Sequence, residues 1–137
     1  MVGIDLSERM IDRSNERAKR GGVEDRVEFR VADAQNLPFE DNIFDAVICE
    51  SVLAFIEDKQ GTVGEFARVG KPGGYVGFNE VTWIKAPPPA LVDYLTRTTS
   101  GEFLTCNNGW KELLEVSGLR ETVAIIYKTT ALSQWIS

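Results

Sequence analysis

The run Phe44-Asp45-Ala46-Val47-Ile48-Cys49 constrains this chain more than any other stretch. It is nearly continuous in apolar residues, as a strand covered on both faces is. Strands of that kind lie in mostly parallel sheets that carry helices on their faces. The neighbouring sequence supplies the helices. From Asp58 to about Val69 the pattern is helical, and Lys71-Pro72-Gly73-Gly74 forbids its continuation. Tyr75–Asn79 then predicts another buried strand.

The same alternation begins earlier. Val2–Asp5 is a short apolar run ending in a carboxylate. Ser7 offers an N-cap side chain and Glu8 a first-turn charge for a mostly polar helix over Glu8–Arg20, which Gly21-Gly22 ends. Val27, Phe29 and Val31 alternate with Glu28 and Arg30, the period of a half-buried strand. The order strand, helix, strand, loop, strand, helix, strand predicts an α/β fold with a Rossmann-like, mostly parallel sheet and flanking helices.

The last third is less regular. Trp83–Pro89 is a proline-rich connection, Ala90–Thr98 and Trp110–Ser117 are short helices, and Gly101–Gly109 is a loop. Thr122–Lys128 is a strand candidate, and Thr129–Ser137 has no clear period. The chain of 137 residues is expected to form a single domain, residues 1–137, with residues 83–109 as a lid or substrate segment within it.

Composition narrows the function. Fifteen basic residues face 21 acidic ones, a net charge of −6, which argues against nucleic acid as a partner. The basic cluster Arg13, Arg17, Lys19, Arg20 has Asp12 and Glu16 interleaved and reads as a solvated helix face. The chain has no histidine, so histidine bases, histidine-containing triads and the usual zinc sites are excluded. Its two cysteines, Cys49 and Cys106, lack metal-ligand spacing, and no metal site is expected. No apolar run approaches the roughly 18–20 residues that span a bilayer, and no membrane partner is expected. The expected location is the cytoplasm.

In open parallel sheets, ligands sit beyond the carboxyl ends of the strands. Three places qualify: Asp5-Leu6, Asp33-Ala34-Gln35 and Cys49-Glu50-Ser51. A carboxylate at Asp5 can accept both hydroxyls of a ribose; the competing role is a cap for the following helix, for which Ser7 is better placed. Asp33 could accept the exocyclic amine of adenine while the next backbone N–H donates to a ring nitrogen. Of the aromatic residues in the last third, Trp83, Tyr94, Phe103 and Trp110, packing in a core or lid is favoured over lining a substrate pocket. Cys106 reads as a small buried hydrophobe.

Four stretches together carry a resemblance: Val2-Gly3-Ile4-Asp5-Leu6-Ser7; Val31-Ala32-Asp33-Ala34 running to Leu37-Pro38-Phe39; Phe44–Cys49; and Arg68-Val69-Gly70-Lys71-Pro72-Gly73-Gly74. In that order and spacing they resemble the class I S-adenosylmethionine (SAM)-dependent methyltransferases, in particular the small-molecule branch, over about residues 2–80. The resemblance implies SAM as cofactor and a small molecule as methyl acceptor. It implies that Asp5 holds the ribose, that Leu6 and Met10 pack on adenine, and that Asp33 and Ala34 meet the adenine edge. Cys49, Glu50 and Ser51 would lie near the methionine portion, largely through backbone groups. No catalytic side chain is assigned, because such enzymes work mainly by alignment. Family members often carry histidine where Ala54 and Phe55 stand here.

The family's first strand and its Gly-x-Gly-x-Gly turn are not in this sequence. That strand normally lies between those represented by Val2–Asp5 and Phe44–Cys49, so an incomplete, truncated fold with two exposed backbone edges is expected. Pairing in a homodimer, or strand exchange, would cover them. The alternative function is a non-catalytic methyltransferase-like fragment or subunit that has lost independent SAM binding. A nicotinamide-binding Rossmann domain would explain Asp5, but neither Asp33-Ala34 nor the Lys-Pro-Gly-Gly turn.

Overall fold

The structure, a computed structural model, describes residues 1–99, 101–105, 109–120 and 123–127. Its elements are β1 (Val2–Asp5), α1 (Glu8–Gly21), β2 (Glu28–Val31), β3 (Phe44–Glu50), α2 (Lys59–Val69), β4 (Gly70–Asn79), α3 (Pro89–Thr99) and α4 (Gly109–Val116). β1 pairs with β2 in parallel, Val2 opposite Glu28 and Asp5 opposite Val31. β3 pairs with β4, also in parallel. The two pairs are separate two-stranded sheets. Strands β1 and β3 are thus not hydrogen-bonded neighbours, which is where the sequence placed a discontinuity.

Helix boundaries follow local chemistry. Gly22 closes α1 in the left-handed conformation, φ 62°, where a side chain would be strained. The Ser7 hydroxyl makes no cap bond; instead the Ser7 N–H donates to Asp5 Oδ1 at 2.8 Å. Capping by Ser7 was the expectation, and the carboxylate two residues earlier takes over the local hydrogen bonding. Asp58 caps α2, accepting from the Gly61 N–H at 2.8 Å. Pro89 opens α3, a position where the missing N–H costs nothing.

The core lies between one face of β3–β4 and α2. Leu53, Val63, Phe66, Val69, Cys49 and Leu37 are buried there, and Leu113 of α4 closes it from the side. Ile4 of β1 and Ala34 after β2 pack against the same cluster, so both strand pairs share one core. Arg68 of α2 ties down the loop after β2. Its guanidinium donates to the Leu37 and Phe39 carbonyls and to the carboxylates of Asp41 and Glu65, while Glu65 accepts from the Leu37 N–H.

Four expectations need correction. Burial of β3 on both faces does not hold. Val47 and Cys49 face the core, but Ala46 and Ile48 point away from it, and Ile48 is 75% exposed. No described element covers that face. The Lys-Pro-Gly-Gly segment does not precede the strand but lies inside β4. Gly70 pairs with Phe44 and Tyr75 with Ala46, so Asp45 alone faces Lys71–Gly74. Such an excess is tolerable because Gly73 takes φ 79° and a Cβ on Gly74 would come within 2.8 Å of the Asp45 carbonyl oxygen. Val31, expected to face inward, is 54% exposed at the end of β2. Finally, Val123–Tyr127 forms no strand and is largely exposed. Thr122, Lys128 and Thr129–Ser137 lie outside the described residues, as does Cys106.

Candidate functional site at the carboxyl ends of the strands

The residues singled out from the sequence stand at strand ends. β1 delivers Asp5, and the Ala32 N–H donates to the Asp5 carbonyl at 3.1 Å, so the parallel ladder carries on to the turn bearing Asp33. Both carboxylates are fixed identically. Asp5 Oδ1 accepts from the Ser7 N–H at 2.8 Å, and Asp33 Oδ1 accepts from the Gln35 N–H at 2.9 Å. Each is an Asx turn, in which the side chain mimics a backbone turn. At Asp5 this leaves Oδ2 available to a ligand, whereas the Gln35 side-chain amide reaches both oxygens of Asp33 at 3.4 and 3.5 Å. Leu6, the next residue after Asp5, and Met10 on α1 are exposed, and Ala34 is half-buried against the core.

The third turn follows β3. Ser51 takes φ 54°, a left-handed conformation that a serine enters only when its surroundings enforce it, and its N–H donates to the Asn79 carbonyl at 2.8 Å. Glu80, directly after β4, lies against this turn. Its Oε1 accepts from the Val52 N–H at 2.8 Å and the Leu53 N–H at 3.0 Å, and the Cys49 thiol lies 3.7 Å away. Glu50 and Ser51 are exposed at the rim. Burial, with the neighbouring Glu80 charge second, pushes the Cys49 thiol up to about 12, so at neutral pH it is protonated and no nucleophile.

Glu80 was not singled out from the sequence, although it directly follows β4 and so stands at a strand's carboxyl end, the one signal that could have found it. The segment after α3 also reaches this turn: the Glu102 N–H donates to the Ala54 carbonyl at 2.7 Å, and buried Lys59 bonds the Ile56 carbonyl and pairs with Glu102. Trp83 donates to Leu104 at 3.0 Å and forms a bridge with Thr105, which closes the neck of the excursion bearing α3. Trp83 packs edge-on against Phe103, Trp110 stacks on Phe78, and Tyr94 is exposed on α3. A hollow of about 750 Å³ runs along the free edge of β4, but none of Asp5, Asp33 and Cys49–Ser51 lines it.

Comparison with known proteins decides the family. The model of the methyltransferase domain matches residues 1–78. The chain belongs to that family. Among relatives, 27-O-demethylrifamycin SV methyltransferase of Amycolatopsis mediterranei is 36% identical over 87 residues, 64% of this chain and 32% of that protein. Among solved structures, the [4+2]-cyclase SpnF superposes with a TM-score of 0.71 at 29% identity, covering 85% of this chain and 42% of that one. Geranyl diphosphate methyltransferase in complex with SAM shares the fold, with a TM-score of 0.72 at 21% identity over 83% of this chain and 46% of that one. The methyltransferase domain described here therefore spans between about a third and a half of the length of these proteins. SAM is the cofactor that goes with the family.

Proposed function

We propose that this methyltransferase domain binds the nucleoside of SAM at Asp5 and Asp33 and takes part in methyl transfer to a small-molecule acceptor. The observation that carries the proposal is the pair of Asx-held carboxylates at the ends of two hydrogen-bonded parallel strands. Asp5 Oδ2 would accept from the ribose hydroxyls, and Leu6 and Met10 would cover a face of the adenine. Asp33 would take the exocyclic amine in place of the Gln35 amide. The Glu50–Ser51 turn offers backbone groups to the methionine portion. The residues thus fit the nucleoside side of the cofactor. On the methionine side, none of the glycines among the described residues directly follows the carboxyl end of a strand.

When bound, SAM supplies a methyl group already activated by its sulfonium charge. The protein's task is to hold the acceptor in line and keep water out. The segment 83–109 would do the second; the anchoring of Trp83 to Leu104 and of Glu102 to Ala54 supports that role. A small-molecule acceptor is supported by the rifamycin methyltransferase among the relatives. Cytoplasmic location belongs to the same proposal, supported by a free thiol at Cys49. So does pairing of two copies across the unpaired edges of β1 and β3. Light scattering that finds a dimer supports this pairing; a compact monomer refutes it.

The test of SAM binding is calorimetric titration of the 137-residue chain with SAM and its demethylated product. Saturable binding that Asp5→Ala and Asp33→Ala each weaken about tenfold or more is the expected result. A second reading, a domain that keeps the fold without transferring methyl groups, is favoured by the cyclase among the structural relatives. Absence of binding by the folded chain would select it.

A further inference from the structure

We propose that Glu80 is a positioning residue: it sets the shape of the Ser51–Leu53 turn after β3 and thereby the backbone groups which that turn presents to a ligand. The role in ligand presentation rests on the SAM-site reading above; the role in shaping the turn does not. Three separate observations meet here. Ser51 is held at φ 54°, outside the range a serine prefers. The next two amides, of Val52 and Leu53, both donate to a single carboxylate oxygen of the residue that follows β4, at 2.8 and 3.0 Å. The other oxygen of that carboxylate, Oε2, is buried with no hydrogen-bond partner among the described residues.

A carboxylate with one orphaned buried oxygen is costly to keep. What Glu80 obtains at that position is control of two adjacent backbone donors, which would otherwise point into the site or into water. Cys49, immediately before the turn, lies against the same oxygen. The fastening therefore reaches from the last core residue of β3 to the first turn beyond it. Because the chain runs on from Glu80, just past the end of β4, into Thr82 and Trp83, which bind Leu104, the same strand end also starts the excursion that carries α3. The turn is gripped from the opposite side by Glu102.

The test is residue-resolved amide hydrogen exchange on the 137-residue chain and on Glu80→Ala, Glu80→Asp and Glu80→Gln. Glutamine keeps an acceptor at the position of Oε1, alanine removes it, and aspartate retracts it by one methylene. The expected result is exchange at Val52 and Leu53 about tenfold or more faster in Glu80→Ala, restored in Glu80→Gln, with the β3–β4 ladder amides unchanged. If alanine prevents folding, aspartate is expected to give the same local acceleration. Unchanged exchange at both amides overturns the proposal, and so does an acceleration spread evenly along β3 and β4. Titration of the variants with SAM adds a second arm: Glu80→Ala should bind about tenfold more weakly and Glu80→Gln like the parent. Equal affinity of the alanine variant and the parent overturns the role in ligand presentation. A parent chain that binds no SAM refutes the cofactor assignment, and the exchange arm still decides what Glu80 does.

Discussion

Asp5 commits Oδ1 to the Ser7 amide two residues ahead, and in the proposed function Oδ2 is the oxygen that would meet the ribose. That division of labour separates structure from binding. Asp5→Asn retains an oxygen for the Asx turn but loses the charge, so its thermal stability should match the parent while SAM binds about tenfold more weakly. Equal affinity in calorimetry would show that the carboxylate does not contact the cofactor. Cys49 supplies a pH prediction. Its thiol is raised to about 12 in the fold, whereas an unfolded thiol ionises near 8.5, so above that pH the unfolded state holds fewer protons. The contribution of Cys49 to stability is complete below about pH 8.5 and is lost as pH rises toward 12. Denaturant unfolding of Cys49→Ala should therefore show a shallower decline over that window than the parent. Asp5 and Asp33 were legible in the sequence because each directly follows a recognisable apolar run. Glu80 was not. Its partners Val52 and Leu53 are 28 and 27 residues away, and only the pairing of β3 with β4 brings them together.

Helix α2 is the element on which the core depends. Phe66 is buried beneath β4 and stacks on Phe78, so Phe66→Ala should cost about 3–5 kcal/mol in urea unfolding. A loss below 1 kcal/mol would mean that the helix is not seated as described. Gly64 sits mid-helix with open space where a Cβ would go, and Gly64→Ala should stabilise by about 0.5–1 kcal/mol. Gly74→Ala should do the reverse, by about 2 kcal/mol, because its Cβ meets backbone oxygens of Asp45 and Lys71. Comparing their melting temperatures checks both. The extents of α1 and α2 were readable from periodicity, capping residues and glycine stops, all local effects. β4 was misjudged because proline and paired glycines look like a terminator, yet a strand can absorb them when a partner strand supplies the register. The open face of β3 was invisible for a related reason. An apolar run records what a strand could bury, not which neighbour arrives to cover it.

At the scale of the molecule, the two strand pairs differ in what anchors them. Most of the buried core side chains belong to α2, β3 and the turn after it, whereas α1 buries only Ile11 and Ala18. Hydrogen exchange should find β1–α1–β2 opening at lower free energy than β3–α2–β4. Equal protection would show that Ile4 and Ala34 couple the two pairs tightly despite the missing ladder between them. The separation of the sheets carries one more consequence. A nucleoside resting on Asp5 and Asp33 whose tail reaches the Ser51 turn would span a joint between two strand pairs that share no ladder among the described residues. Occupancy should then be felt as mechanical continuity: two loosely hinged plates would move and melt as one, with the small molecule as their rivet.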